Sequence, residues 1–280
     1  MSEFKIGNPA GGKLARLQEI LGSLGSVLVA YSGGVDSTFL LKVAVDSLHE
    51  NCLAVLAESP TLPAHDRADA LAMIERLGAR SMVIAGGEMS NPAFVRNDRK
   101  RCYWCKHELF HSLKEIAQRE GLQQVIEGSN SDDTSDYRPG IQAARECGIR
   151  SPLMEAGLTK DDIRQLSREL GLPTWDKPAS ACLSSRISYG TAIDATVLER
   201  IDAAEDFLRS IGFAQVRVRH HGDVARIEVS EDAMPRLLEQ RLRCEVAARF
   251  RELGYLYTTI DAEGYRTGSM NTMIVKSEQP

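Results

Sequence analysis

Apolar residues fall along this chain in two alternating rhythms. Short β-branched runs at 27–30, 53–57, 82–85 and 125–127 read as strands. Between them, apolar positions recur every three or four residues near 37–49, 64–77 and 106–120, the period of amphipathic helices. This βαβα order predicts a doubly wound parallel α/β sheet with its ligands at the carboxyl ends of the strands. Pro139 opens a further helix through Cys147, as suits a first-turn proline. Thr159 caps another helix that runs to Leu170, with Asp162 reaching back and Gly171 ending it. From Leu172 to Tyr189 no period survives, so this stretch is a linker or a site loop. A helix over 195–211, alternating strands at 215–220 and 224–230, a second helix over 234–253 and a strand at 255–260 follow. The grammar there predicts a smaller α+β domain over 190–280, after a first domain over 1–189 that includes the linker.

The first strand runs into Ala30-Tyr31-Ser32-Gly33-Gly34-Val35-Asp36-Ser37-Thr38, and a helical pattern starts at once. A buried strand feeding a helix through such a turn gathers backbone N–H groups and a helix N-terminus at one point, which is an anion site. Gly33 and Gly34 let the backbone approach the anion without a Cβ in between. The Gly-Lys-Ser/Thr ending of a Walker loop is missing. Ser-Gly-Gly-Val-Asp-Ser instead resembles the PP-loop of ATP pyrophosphatases, which cleave ATP to AMP and pyrophosphate and adenylate a substrate.

Composition narrows the field. A chain of 280 residues can bury one or two cores. A net charge of −5 and a pI near 5.8 argue against a broad basic face for nucleic acid. No apolar run suits a membrane span, and Met1–Lys5 lacks a signal pattern, so a cytoplasmic protein without nucleic-acid or membrane partners is expected. Six cysteines then point to metal or redox chemistry in a reducing compartment rather than to a disulfide framework. Cys102-Tyr103-Trp104-Cys105, expected just ahead of the 106–120 helix, could be a redox pair, half a zinc site or part of an iron–sulfur site. Basic neighbours (Arg99, Lys100, Arg101) favour thiolate. With Cys182 in the linker, a set of three thiols suits a cubane cluster with one open iron better than a closed zinc shell. Cys52, Cys147 and Cys244 read as core or surface thiols. In the later strand, a period of two turns Val216 and Val218 inward and sends Arg217 and Arg219 to the other face. The two arginines form either a fork for a phosphate monoester or a solvated face with cross-strand partners such as Glu228. His220 and His221 read as strand-end residues.

The PP-loop, the C-x-x-C, Asp136-Tyr137-Arg138-Pro139-Gly140, Ala181-Cys182-Leu183-Ser184-Ser185-Arg186 and Val216-Arg217-Val218-Arg219-His220 occur in this order. The combination resembles the LarE family, pyridinium-3,5-biscarboxylic acid mononucleotide sulfurtransferases that serve the nickel-pincer cofactor of lactate racemase. The likeness runs from about residue 15 to about residue 273. It implies a PP-loop fold in which Ala30, Ser32, Gly33, Gly34, Asp36, Ser37 and Thr38 bind ATP. A substrate carboxylate would be activated as an acyl-adenylate before sulfur is transferred to it. Asp36, the only carboxylate in the loop, is the choice for contact with Mg²⁺, with helix capping as its alternative. The family's substrate-phosphate residues fall on Arg217 and Arg219, with Arg186 and Glu205 also carried over. For Glu205 an exposed helix face is the competing reading. One branch of the family spends the sulfur of its linker cysteine, here Cys182. The other holds a [4Fe-4S] cluster on three cysteines, and Cys102, Cys105 and Cys182 match that branch, with Cys182 and Asp36 as catalytic residues. The sulfide source stays open, and a homo-oligomer is expected. The rival classes are a tRNA thiolation enzyme, an amide-forming synthase of the NAD or GMP synthetase type, and a nucleotide-sensing binding protein.

Overall fold

The computed structural model describes residues 9–135, 139–178 and 180–266. Its contacts divide into two compact units. The first holds the chain up to Ser59, Asp66–Phe94 and Lys100–Ser180, and the second holds Pro60–His65, Val95–Arg99 and the chain from Ala181 onward. The expected boundary at 189/190 therefore falls inside the second unit.

In the first unit, β1 (Val27–Tyr31), β2 (Cys52–Glu58), β3 (Ser81–Ala85) and β4 (Gln124–Ile126) form one parallel sheet in the order β3-β2-β1-β4. Val27 lies in register with Cys52 on one side and with Gln124 on the other. Chain order reverses at β1, so the crevice between the ends of β1 and β4 is the switch point where this architecture binds ligands. The helices of this unit are α1 (Pro9–Leu24), α2 (Val35–Leu48), α3 (Ala64–Leu77), the single turn α4 (Pro92–Val95), α5 (Arg101–Arg119), α6 (Pro139–Glu146), the single turn α7 (Pro152–Glu155) and α8 (Lys160–Glu169), with the first residues of α3 and the last of α4 counted in the second unit. Leu28, Leu53, Val55 and Val125 pack with Phe110, Leu113, Ala143 and Ala144 of α5 and α6. By strand alternation Val27 and Val29 turn to the opposite face, toward α2. The Thr159–Asp162 capping box forms as the sequence indicates.

The second unit pairs α9 (Ala195–Ser210) with a mixed sheet, β5 (Val216–His221), β6 (Val224–Val229) and β7 (Tyr257–Ile260), in which β5 and β6 are antiparallel and β6 and β7 parallel. The expected single helix over 234–253 is two, α10 (Met234–Leu237) and α11 (Gln240–Glu252). Leu237, Val246 and Phe250 are all buried. At about 100° per residue an unbroken helix would set Leu237 opposite Val246, so the break at Leu238–Glu239 brings both to the core. Among the described residues, no helix is long and apolar enough to cross a membrane.

Candidate functional site

The turn after β1 has the geometry of an anion cradle. Gly33 has φ +72°, and a Cβ there would lie 2.7 Å from the Cβ of Ala70 on α3, so no other residue fits without displacement. Gly34 is the N-cap of α2 and puts no side chain on the first amides of the helix. The turn is braced from within. The hydroxyls of Ser32 and Ser37 lie 3.0 Å apart, and the Ser32 amide donates to Ser37 Oγ at 3.3 Å. Thr38 is buried, with Oγ1 3.4 Å from the Tyr31 hydroxyl. Gly128, after β4, closes in from the other side of the switch point: a Cβ there would stand 3.0 Å from the Ser37 nitrogen. Ala30 is half-buried in β1 and leads into the turn.

Asp36 does not cap the helix. Lys160, at the start of α8, donates to its Oδ2 at 2.6 Å, while Oδ1 is buried and accepts no hydrogen bond from the described residues. Burial pushes the Asp36 carboxyl above its usual range, Lys160 opposes this, and Asp133 adds to it. A carboxylate oxygen left without a donor beside an anion cradle fits a divalent cation such as Mg²⁺.

The second unit holds a buried ionic cluster. Arg186 and Glu205 are both 0% exposed. Arg186 Nε and Nη2 donate to the two oxygens of Glu205 at 2.8 and 3.0 Å, a fork-to-fork pair. Glu205 also accepts from Arg209 Nη2 at 2.7 Å and from the Val218 amide at 3.0 Å. Burial opposes its charge, but Arg186 and then Arg217 outweigh that and hold the carboxyl below its usual range. The exposed helix face considered for Glu205 is therefore ruled out. Arg217 and Arg219, 9% and 5% exposed, do not lie on a solvated face either, although the cross-strand partner of that alternative, Glu228, is in place. Arg219 donates to Glu228, which is in register with Arg217 and so diagonal to Arg219 across the strands, at 2.7 Å and to the Ser185 carbonyl at 3.0 Å. The Arg217 guanidinium lies 5.3 Å from the ring centre of Tyr265, and burial together with the Arg186 charge presses it below the usual arginine range. Three guanidiniums, Arg186, Arg209 and Arg217, thus act on Glu205, and Arg209 is shared with Asp206 at 2.9 Å. Planar guanidinium forks gathered in this way suit an oxyanion.

Cys102 and Cys105 do not precede a helix; they lie in the first turn and a half of α5, which begins at Arg101. Cys182 belongs to the second unit and precedes the 3₁₀ turn Leu183–Arg186. Cys102 and Cys182 are exposed, Cys105 is half-buried, and no disulfide joins them. Arg186 Nη1 donates to the carbonyls of Ala181 at 2.5 Å and Cys182 at 3.1 Å, so the linker motif is held by its own last residue. Cys52 and Cys147 are buried and Cys244 is exposed, as core and surface thiols would be. Asp136, Tyr137 and Arg138 lie outside the described residues.

Residues 17–93, which carry β1, the turn and α2, match the family model described as NAD synthase. The pyridinium-3,5-bisthiocarboxylic acid mononucleotide synthase of Lactiplantibacillus plantarum is 39% identical over 267 residues, covering 95% of this chain and 96% of that one. The chain belongs to the LarE family. An uncharacterized protein of Synechocystis sp. is 44% identical over 264 residues, 94% of this chain and 98% of its own. One of Methanocaldococcus jannaschii is 28% identical over 241 residues, 86% and 91% of the two chains. As a LarE homologue the chain is an ATP-dependent PP-loop enzyme. Within this LarE-family fold, sequence reasoning missed Lys160 and Gly128. Lys160 is 124 residues from Asp36, and nothing local announces the pair. Gly128 carried a usable signal, a lone glycine just past a strand end next to the switch point.

Proposed function

We propose that this enzyme uses ATP to replace a carboxylate of pyridinium-3,5-biscarboxylic acid mononucleotide with a thiocarboxylate, in the making of the nickel-pincer cofactor. A carboxylate oxygen of the substrate attacks the α-phosphorus of ATP, and pyrophosphate leaves into the amides of the Gly33–Ser37 turn. Asp36 would hold Mg²⁺ through Oδ1, with Lys160 fixing the other oxygen. The acyl-adenylate carbon then accepts sulfur, and AMP departs with the original oxygen. Arg217 and Arg219 would hold the substrate phosphate, with Arg186 and Glu205 setting their positions. The buried arginine cluster is the observation that carries this reading, because a mononucleotide needs a monoester site separate from the ATP cradle.

Cys102, Cys105 and Cys182 would hold a [4Fe-4S] cluster, three thiols leaving one iron not liganded by protein. When bound, that cluster supplies the transferable sulfide.

The test is anaerobically prepared protein with ATP, Mg²⁺ and the mononucleotide. Pyrophosphate release, a thiocarboxylate product by mass spectrometry, and roughly four irons per chain are expected. Asp36→Ala should abolish pyrophosphate release while the circular dichroism spectrum stays unchanged. Iron-free protein that turns over once and converts Cys182 to dehydroalanine would move the enzyme to the sacrificial branch. Absence of pyrophosphate release with this substrate would overturn the assignment.

A further inference from the structure

The two faces of α5 carry different chemistry. At about 100° per residue, Cys102 and Cys105 fall on one side of the helix, and Tyr103, His107 and His111 fall on a stripe roughly 170° away. His107 and His111, one helical turn apart, have ring centres separated by 4.5 Å. Across from them, at the end of α6, stands Cys147. The metal-binding atoms of these three side chains all lie within 4.8 Å of one another. Contacts between the helices fix the arrangement on both flanks. The Tyr103 hydroxyl donates to Glu146 at 2.6 Å, and Lys114 Nζ donates to the Cys147 carbonyl at 3.0 Å. Tyr103 stacks on His107 at 5.6 Å, which limits how that ring can turn.

We propose that His107, His111 and Cys147 form a site for a divalent cation of the Zn²⁺ class, distinct from the cysteine pair on the other side of α5. Two imidazoles and one thiolate are a zinc-type ligand set with a fourth position open. Bonds of about 2.0–2.3 Å would bring the three donors roughly an ångström closer than their present spread, within reach of side-chain rotation. His111 is exposed and gives the ion a way in, while Cys147 is buried. Burial pushes the Cys147 thiol up, and a bound cation would oppose this. Glu146, next to Cys147 in the chain, is held by Tyr103 and by Gln142 at 2.8 Å and adds negative charge beside the site.

Co²⁺ is the probe, added to the full-length chain carrying Cys102→Ser, Cys105→Ser and Cys182→Ser so that the proposed cluster ligands cannot contribute. One equivalent should bind with tetrahedral visible bands and a near-ultraviolet thiolate charge-transfer band, both displaced by Zn²⁺. Cys147→Ser in this background should remove the charge-transfer band. His111→Ala should weaken Co²⁺ binding by at least about 10-fold. Circular dichroism monitors folding, and if Cys147→Ser unfolds, the exposed His111 position decides the question by itself. No thiolate band in the triple variant, or a band unmoved by His111→Ala, overturns the site.

Discussion

Replacing Glu205 by Gln tests whether the arginine cluster is a charged assembly balanced on one carboxylate. In the native protein Oε1 accepts from Arg186 Nε and the Val218 amide, and Oε2 accepts from Arg186 Nη2 and Arg209 Nη2. Glutamine can keep the first pair. It then presents an N–H₂ donor to two guanidinium donors and removes the charge that answers the fully buried Arg186, while Arg209 keeps Asp206 at 2.9 Å. Breaking a fully buried ion pair on one side costs about 3–5 kcal/mol. At roughly 2–4 °C per kcal/mol, the melting temperature at neutral pH should fall by about 6–20 °C. The acid limb gives a second reading. The folded carboxyl is held below its unfolded value of 4.5, so the stability it lends is complete above that value. It is lost as the pH falls through the lower, folded value. The wild-type melting temperature should therefore drop on acidification below about pH 4.5 by a component the Gln variant lacks, and the gap between the two should narrow. Differential scanning fluorimetry from neutral pH to pH 3 reads both effects. A gap under about 2 °C at neutral pH, or one that stays constant into acid, would refute the reasoning.

Three further outcomes are expected. Gly33→Ala places a Cβ 2.7 Å from that of Ala70 at φ +72°, so ATP-dependent pyrophosphate release should be lost and the melting temperature lowered; a fully active variant would show that the cradle tolerates a side chain. Arg217→Ala and Arg219→Ala should each raise the apparent constant for the mononucleotide about 10–150-fold, from 1.5–3 kcal/mol per charge-assisted bond, with ATP binding unaltered by isothermal titration. Thr159→Ala removes the capping box at the head of α8 and should cost about 0.5–2 kcal/mol in urea unfolding. Because the next residue, Lys160, is the partner of Asp36, the same variant should also reduce pyrophosphate release.

Local chemistry made part of this molecule readable in advance. The Ser-Gly-Gly-Val-Asp-Ser turn, the extent of α3 and the Thr159–Asp162 box each depend on residues within one or two turns of each other, and all three formed as expected. The expected elements do not include α1, whose Leu14, Leu17, Leu21 and Leu24 repeat with a helical period but whose start holds the poor helix formers Gly11 and Gly12. α5 starts five residues earlier than expected. The basic run before it shows no apolar period to extend the helix, yet Arg101 is buried in it. The arginine cluster was half legible. Alternation put Arg217 and Arg219 on one face, but whether that face meets water or Arg186 and Glu205 depends on packing that no local pattern encodes.

The clamp of Arg186 on the carbonyls of Ala181 and Cys182 makes inheritance of this motif conditional. One guanidinium both grips the backbone that carries the cysteine and answers Glu205, so a drift at position 186 or 205 moves Cys182 without touching its sulfur. A homologue that keeps this cysteine but has lost Arg186 or Glu205 should be sorted apart from this protein, since its counterpart of Cys182 would be present in the alignment and misplaced in space.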